Sequence, residues 1–184
     1  MRIIAGKARS LPLKTISGTD TRPTTDRIKE TLFNMLNPYL YDCQFLDLFA
    51  GSGQIGLEAV SRGAAKAVFV ENNRKAAACI EENIAFTRFT EECTLMVCDA
   101  VTAIRRMAGR ECFDLVFMDP PYGRNLEQDV LRALASSGAI HEDSLIVVEA
   151  SLEADLSYAV DLGYEVTKEK AYRTNQHIFL RFGK

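Results

Sequence analysis

The sequence predicts an α/β protein: a doubly wound, mostly parallel seven-stranded sheet closed by a C-terminal antiparallel hairpin, with a small N-terminal arm and helix in front. Three observations predict it. Residues 45–59 pass from an apolar run through Gly51-Ser52-Gly53 into a short amphipathic run, which reads as strand, turn and helix. From Cys43 onward, short runs that are apolar on both sides alternate with helical stretches, as in a parallel sheet covered by helices. The last two strand candidates have only Arg173-Thr174-Asn175 between them, so they pair as a hairpin.

In chain order, residues 2–16 alternate loosely around a Gly6-Lys7 turn signal and predict a short hairpin or extended arm. Residues 17–23 read as loop. Thr24 or Thr25 caps a helix with Asp26 in its first turn, and Ile28, Leu32, Met35 and Leu36 form its apolar stripe. Arg27 and Lys29 fall on the opposite face, and Asn37-Pro38 ends the helix. Strands are expected over 45–49, 67–71, 94–98, 113–118 and 144–149, then 164–171 and 176–182. Helices are expected over 55–61, 74–86, 101–107, 126–135 and 154–162. The whole reads as a single domain over 1–184, with a basic arm and helix over 1–40 and a cofactor-binding core over 41–184.

Composition bounds the function classes. With 184 residues, 47% apolar and 26% charged, the chain resembles ordinary soluble domains and leaves no room for a second substrate domain. No apolar run approaches membrane-spanning length and the first residues lack a signal-peptide core, so a cytoplasmic protein with no membrane partner is expected. Five cysteines without C-x-x-C spacing read as reduced packing residues, and no metal site is expected. The net charge of -3 is unevenly spread. Residues 1–30 carry seven Lys or Arg against three acids, a balance of +4 that leaves -7 for the rest. A basic arm on an acidic body is the footprint of a phosphate-backbone partner or of a solvated face. Nothing demands more than a monomer.

Gly51-Ser52-Gly53-Gln54-Ile55-Gly56 matches the dinucleotide fingerprint, and Glu71 lies twenty residues after Gly51, where a ribose-binding acid belongs. Asp47 argues against a pyrophosphate, because a carboxylate near the strand end repels it. A cationic ligand without phosphate, S-adenosylmethionine, suits an acid beside an open glycine turn; the alternative is that Asp47 caps the turn. Ligands of such sheets bind beyond the carboxyl ends of the strands. The cofactor candidates are therefore Asp47, Ala50, Gly51, Ser52 and Gly53 after the first strand, Glu71 and Asn72 after the second, and Asp99 and Ala100 after the third. Asp99 can accept from an adenine amine or cap the helix that follows.

After the fourth strand stands Asp119-Pro120-Pro121-Tyr122. Consecutive prolines donate no hydrogen bond and hold the chain extended, which leaves the Pro120 carbonyl free to accept. Asp119 and that carbonyl together can grip both hydrogens of an exocyclic amine and stabilise the charge that develops as its nitrogen attacks. Tyr122 offers a ring for a base to stack on, worth roughly 1 to 3 kcal/mol. Asp119, Pro120 and Tyr122 are the catalytic candidates.

Residues 45–53 and 119–122 resemble class I S-adenosylmethionine-dependent methyltransferases that act on exocyclic base amines. Residues 2–11 and the segment from Arg22-Pro23-Thr24-Thr25-Asp26-Arg27 to Leu36 resemble the bacterial RsmD family, and the resemblance covers nearly the whole chain. It implies methylation of the N2 amine of a guanine in 16S ribosomal RNA, of the position-966 type, within an assembling small subunit. It also implies that Asp47, Gly51, Gly53 and Glu71 contact the cofactor, that Asp99 sits by its adenine, and that Asp119, Pro120 and Tyr122 hold the base. Arg22, Thr24 and Arg27 then form the pocket lid or an RNA contact. Arg2, Lys7, Arg9, Arg22 and Arg27 are the RNA-binding candidates. Arg173 stands after Tyr172 where the family pattern expects glycine, so no role is assigned to the last hairpin. A nicotinamide oxidoreductase, a DNA adenine or cytosine aminomethyltransferase and a non-catalytic RNA-binding module are the other readings.

Overall fold

The computed structural model describes residues 1–16 and 25–183. Its strands are β1 (Gln44–Leu48), β2 (Lys66–Val70), β3 (Cys93–Met96), β4 (Phe113–Met118), β5 (Ile140–Ala150), β6 (Tyr164–Ala171) and β7 (Gln176–Phe182). Its helices are α1 (Asp26–Leu40), α2 (Gln54–Ser61), α3 (Arg74–Thr87), α4 (Ala100–Met107) and α5 (Leu126–Ser137). The strands form one sheet in the order β3-β2-β1-β4-β5-β7-β6, parallel from β3 to β5, with β7 antiparallel to both its neighbours. The order reverses at β1, which lies between β2 and β4, so the two motif-bearing strands are adjacent there.

Helices cover both faces because the strands bury both sets of alternating side chains. The N-terminal arm with α1, α2 and α3 covers one face over Phe45, Phe69, Leu115, Phe117 and Phe179. The other face, with Leu46, Val116, Ile146 and Leu180, packs under α4 and α5.

Several elements differ from expectation. Helix α1 runs through Pro38 to Leu40. Pro38 costs the helix only the bond its missing amide would make to the Asn34 carbonyl, while the buried Leu40 holds the final turn on the core. Thr25 is its cap, accepting from the Ile28 amide, whereas Thr24 and the loop expected over 17–23 lie outside the described residues. Strand β5 starts at Ile140 because a register shift opposite β4 lets the earlier residues pair. The helix expected over 154–162 is only a 3-10 turn, Ser157–Leu162, closed by Gly163.

The largest correction is Lys29, expected on the exposed face of α1 and fully buried. Its ammonium lies 3.4 Å from the buried Glu58 of α2 and donates to the Arg2 carbonyl. Burial pushes that ammonium down from its ordinary value while Glu58 pulls it back up. Glu58 also accepts from the Ile4 and Ala5 amides and from Arg62. The arm is thus tied to the body: Arg2 bridges Pro12 in an antiparallel turn, and Ile3 and Leu13 enter the core.

Candidate active site

Strand β1 ends in a turn that the sequence builds from its smallest residues. Gly51 and Gly53 take φ of +58° and +76°, a region that L side chains rarely occupy. Nothing lies within 4 Å of where a Gly51 side chain would begin, so the turn is open above its backbone. Gly56, one turn into α2, is needed for packing: a Cβ there would stand 2.3 Å from the Phe69 ring of β2.

The acids at the strand ends fix this turn. Asp47 is 1% exposed and its Oδ2 accepts from the Gly56 amide at 2.9 Å. Burial pushes its carboxyl well above the usual range, opposed by that hydrogen bond. Asp47 therefore anchors the turn from below, as a cap does, and does not stand in the open crevice. Glu71 reaches across from β2. Its Oε2 accepts from the Gly51 amide at 2.9 Å and its Oε1 from the Asn73 amide at 2.8 Å. Carboxylate oxygens have further lone pairs, so Glu71 retains acceptor capacity toward hydroxyls. Ser52 donates toward Met1 Sδ at 3.5 Å, which brings the start of the arm to the glycine turn.

Asn72 is exposed beside Glu71, and Ala50 is buried with its amide bonded to Val70. Asp99 caps α4 through the Thr102 amide at 2.9 Å, and the Thr102 hydroxyl first, that amide second, hold its carboxyl below the usual range. The side chain of Ala100 is buried in the core, which leaves only its backbone to face a ligand. Asp99 is exposed and ionised at the rim of the same crevice.

Asp119 follows β4 directly, next to the turn after β1. Burial first, and the charge of Glu149 second, push its carboxyl up to about 8. Among the described residues no donor is bonded to that carboxylate, and none takes the Pro120 carbonyl. Among the described residues these two acceptors stand beside each other without partners. Pro120 is buried, while Tyr122 is 51% exposed and presents its ring at the mouth.

Around Asp119 the structure brings in residues that sequence reasoning missed. Glu149 at the end of β5 is buried and accepts from Asn175 Nδ2 at 2.6 Å, and its Oε2 lies 3.0 Å from His177 Nε2. His177 is itself fully buried, with Nδ1 3.1 Å from the Tyr172 hydroxyl. The last hairpin therefore builds one wall of the site. Glu149 carried the same signal as Asp119, an acid closing an apolar run, at the fifth strand end.

Four of the five basic candidates, Arg2, Lys7, Arg9 and Arg27, fall on the arm and the first turn of α1. Arg2 pairs with Asp26 at 3.1 Å and Lys7 with Glu92 at 2.7 Å, all four side chains being partly or largely solvated. Lys14 pairs with Glu82. Arg9 and Arg27 are exposed on the arm and α1, and Arg22 falls outside the described residues. Among the described residues no cluster of His, Cys, Asp or Glu is placed to hold a metal ion.

A family model described as Conserved hypothetical protein 95 matches residues 1–181. The chain belongs to that family, the RsmD family. Its relatives include Ribosomal RNA small subunit methyltransferase D of Escherichia coli, 36% identical over 181 residues that span 96% of this chain and 89% of that one. The protein of the same name from Haemophilus influenzae is 34% identical over 92% of this chain and 88% of its own. The solved Escherichia coli structure of yhhF, named only provisionally as a methyltransferase, superposes with a TM-score of 0.87 at 34% identity, covering 100% of this chain and 98% of that one. This architecture is the Rossmann-like fold of class I methyltransferases, and the RsmD match extends through the arm as well as the core.

Proposed function

We propose that this chain transfers a methyl group from S-adenosylmethionine to the N2 amine of a guanine in 16S ribosomal RNA, of the position-966 type. The observation that carries the reading is the acceptor pair of Asp119 and the Pro120 carbonyl, without a donor among the described residues and set at the sheet's reversal point beside the open glycine turn. The names of the relatives support ribosomal RNA as the substrate class.

The residues fit the cofactor. Gly51 leaves its backbone open, Glu71 keeps acceptor capacity for ribose hydroxyls, Asp99 stands at the rim for the adenine amine, and Ala50, Ser52, Gly53, Asn72 and Ala100 supply the backbone around them. Glu71 and Asp99, the acids after β2 and β3, favour a sulfonium and an ammonium and disfavour a pyrophosphate. When bound, the cofactor supplies an electrophilic methyl carbon. An exocyclic amine is a weak nucleophile because its lone pair is delocalised into the ring. Hydrogen bonds from its two protons to Asp119 and the Pro120 carbonyl favour a pyramidal nitrogen, and ionised Asp119 stabilises the positive charge that develops there. Tyr122 stacks on a base turned out of its helix. Arg2, Lys7, Arg9, Arg22 and Arg27 steer the phosphate backbone, and the chain acts as a monomer on an assembling subunit in the cytoplasm.

The test is incubation with methyl-labelled cofactor and, in parallel, small-subunit RNA, large-subunit RNA and genomic DNA from cells lacking the protein. Label in small-subunit RNA alone is expected. Label in DNA adenine or cytosine would transfer the reading to a DNA aminomethyltransferase, which uses the same Asp-Pro-Pro-Tyr chemistry.

A further inference from the structure

Asp119, Glu149 and His177 stand in a row across three neighbouring strands. Met118 pairs with Val148 and Glu149 with His177. Two residues back, Phe117, Val147 and Phe179 pair across the same strands and pack in one core cluster. Side chains alternate along a strand, so the row one pleat further faces the same side. The Phe117 ring meets the His177 ring edge-on, with centroids 6.1 Å apart.

The two acids of this row are not equivalent. Both oxygens of Glu149 are held, one by Asn175 Nδ2 and the other by His177 Nε2, and hydrogen bonds to a carboxylate favour its charged form. Asp119 has no such donor among the described residues. Two carboxylates side by side resist ionising together; Glu149 has a donor on each oxygen, and Asp119 is the carboxyl that burial and this neighbour raise. We propose that Glu149, locked by His177 and Asn175, is a positioning residue that sets the charge on Asp119 and thereby the pH above which the amine is methylated. This rests on the reading of Asp119 given above. The direction of the Asp119 titration agrees with it: Glu149 is the charge that raises that carboxyl beyond the effect of burial.

Among the described residues, the titratable groups around the pair are Asp47 of β1, Glu71 after β2, Tyr122 after β4, Tyr172 before β7 and His177 of β7. Only His177 among them can add positive charge. Its two nitrogens stay bonded whichever tautomer it adopts, since the Tyr172 hydroxyl can donate to Nδ1 or accept from it. That flexibility makes Glu149→Gln a clean variant. The Gln oxygen accepts from Asn175, and its amide donates to His177 Nε2 once the ring carries its proton on Nδ1.

The experiment compares wild type and Glu149→Gln by carbon-13 NMR of the Asp119 carboxyl and by the pH profile of single-turnover methyl transfer to small-subunit RNA. The Asp119 midpoint is expected to fall by about one pH unit or more when the neighbouring charge is removed. The acid limb of the rate moves with it, so one unit below the wild-type midpoint the variant is about 5-fold faster, with the plateau retained. An Asp119 midpoint equal in both proteins overturns the proposal, as does a rate lowered at every pH with the limb unmoved. If wild type transfers no methyl to RNA the functional reading fails, while the NMR comparison still decides this one. If the variant does not fold, the wild-type Asp119 midpoint decides: one well above the ordinary aspartate value is expected, and one at the ordinary value overturns the proposal.

Discussion

Asp119→Asn removes a titrating carboxyl without changing shape, and its effect on stability has a definite sign. The folded Asp119 carboxyl is raised from 3.8 to about 8. Between those values the unfolded chain has released its proton while the folded chain retains it, so stability falls as pH rises, by about 1.4 kcal/mol per unit. Asparagine has no proton to lose. Two pH units of that window, from pH 5 to pH 7, therefore widen the advantage of Asp119→Asn by about 3 kcal/mol. For a domain of this size that is a gap in Tm growing by roughly 6 to 12 °C. Thermal melts of both proteins in matched buffers at pH 5, 6 and 7, without cofactor, read it directly. A gap that stays constant or narrows as pH rises refutes the reasoning that Asp119 is held protonated by its surroundings. The expected outcome also means that the site carries a built-in cost of stability, as functional sites do when their groups are placed for a ligand and not for the fold.

Asp119→Ala is expected to leave cofactor affinity nearly unchanged by calorimetry while methyl transfer falls roughly 100-fold or more, because the Asp119 carboxylate acts on the charge that develops in the transition state; equal losses would remove Asp119 from the chemistry. Gly56→Ala forces a methyl to 2.3 Å from the Phe69 ring, so a loss of about 1 to 3 kcal/mol in denaturant melts is expected, with weakened cofactor binding as the turn shifts. Glu58→Leu strands the buried Lys29 ammonium and frees the Ile4 and Ala5 amides, and should cost about 3 to 5 kcal/mol by the same melts, with the arm becoming sensitive to protease. Replacing Arg2, Lys7 and Arg9 together by serine should weaken RNA binding and make its salt dependence shallower by about 0.7 to 0.9 for each phosphate no longer neutralised; an unchanged slope returns the arm to a solvated face.

The features legible in the sequence were local ones. The glycine turn after an apolar run, the polar residues closing four strands, and two strand candidates without a helix between them all register within a few residues. They were enough to put the residues after β1 and β4 at the ligand-binding edge of the sheet and to close the sheet with a hairpin, while the adjacency of these two strands shows only in the fold. What the sequence hid depends on partners far away along the chain. Lys29 reads as an exposed base on its helix, and only Glu58, on another element, explains its burial. Asp47 is an acid near a glycine turn whether it faces a ligand or anchors the turn, and the difference is one hydrogen bond to Gly56. His177 sits in an apolar strand, and its meaning comes from pairing with Glu149, 28 residues earlier. The departure at Arg173 drew the reading away from the hairpin, although that residue is exposed and its neighbours Tyr172 and Asn175 supply the buried contacts.

The measurement that tests the central claim most directly is nucleoside analysis of small-subunit RNA from cells lacking the protein, after reaction with the purified chain and methyl-labelled S-adenosylmethionine. The account predicts label recovered as N2-methylguanosine, abolished by Asp119→Ala. Label on another base, or on guanine at any atom other than N2, would contradict it.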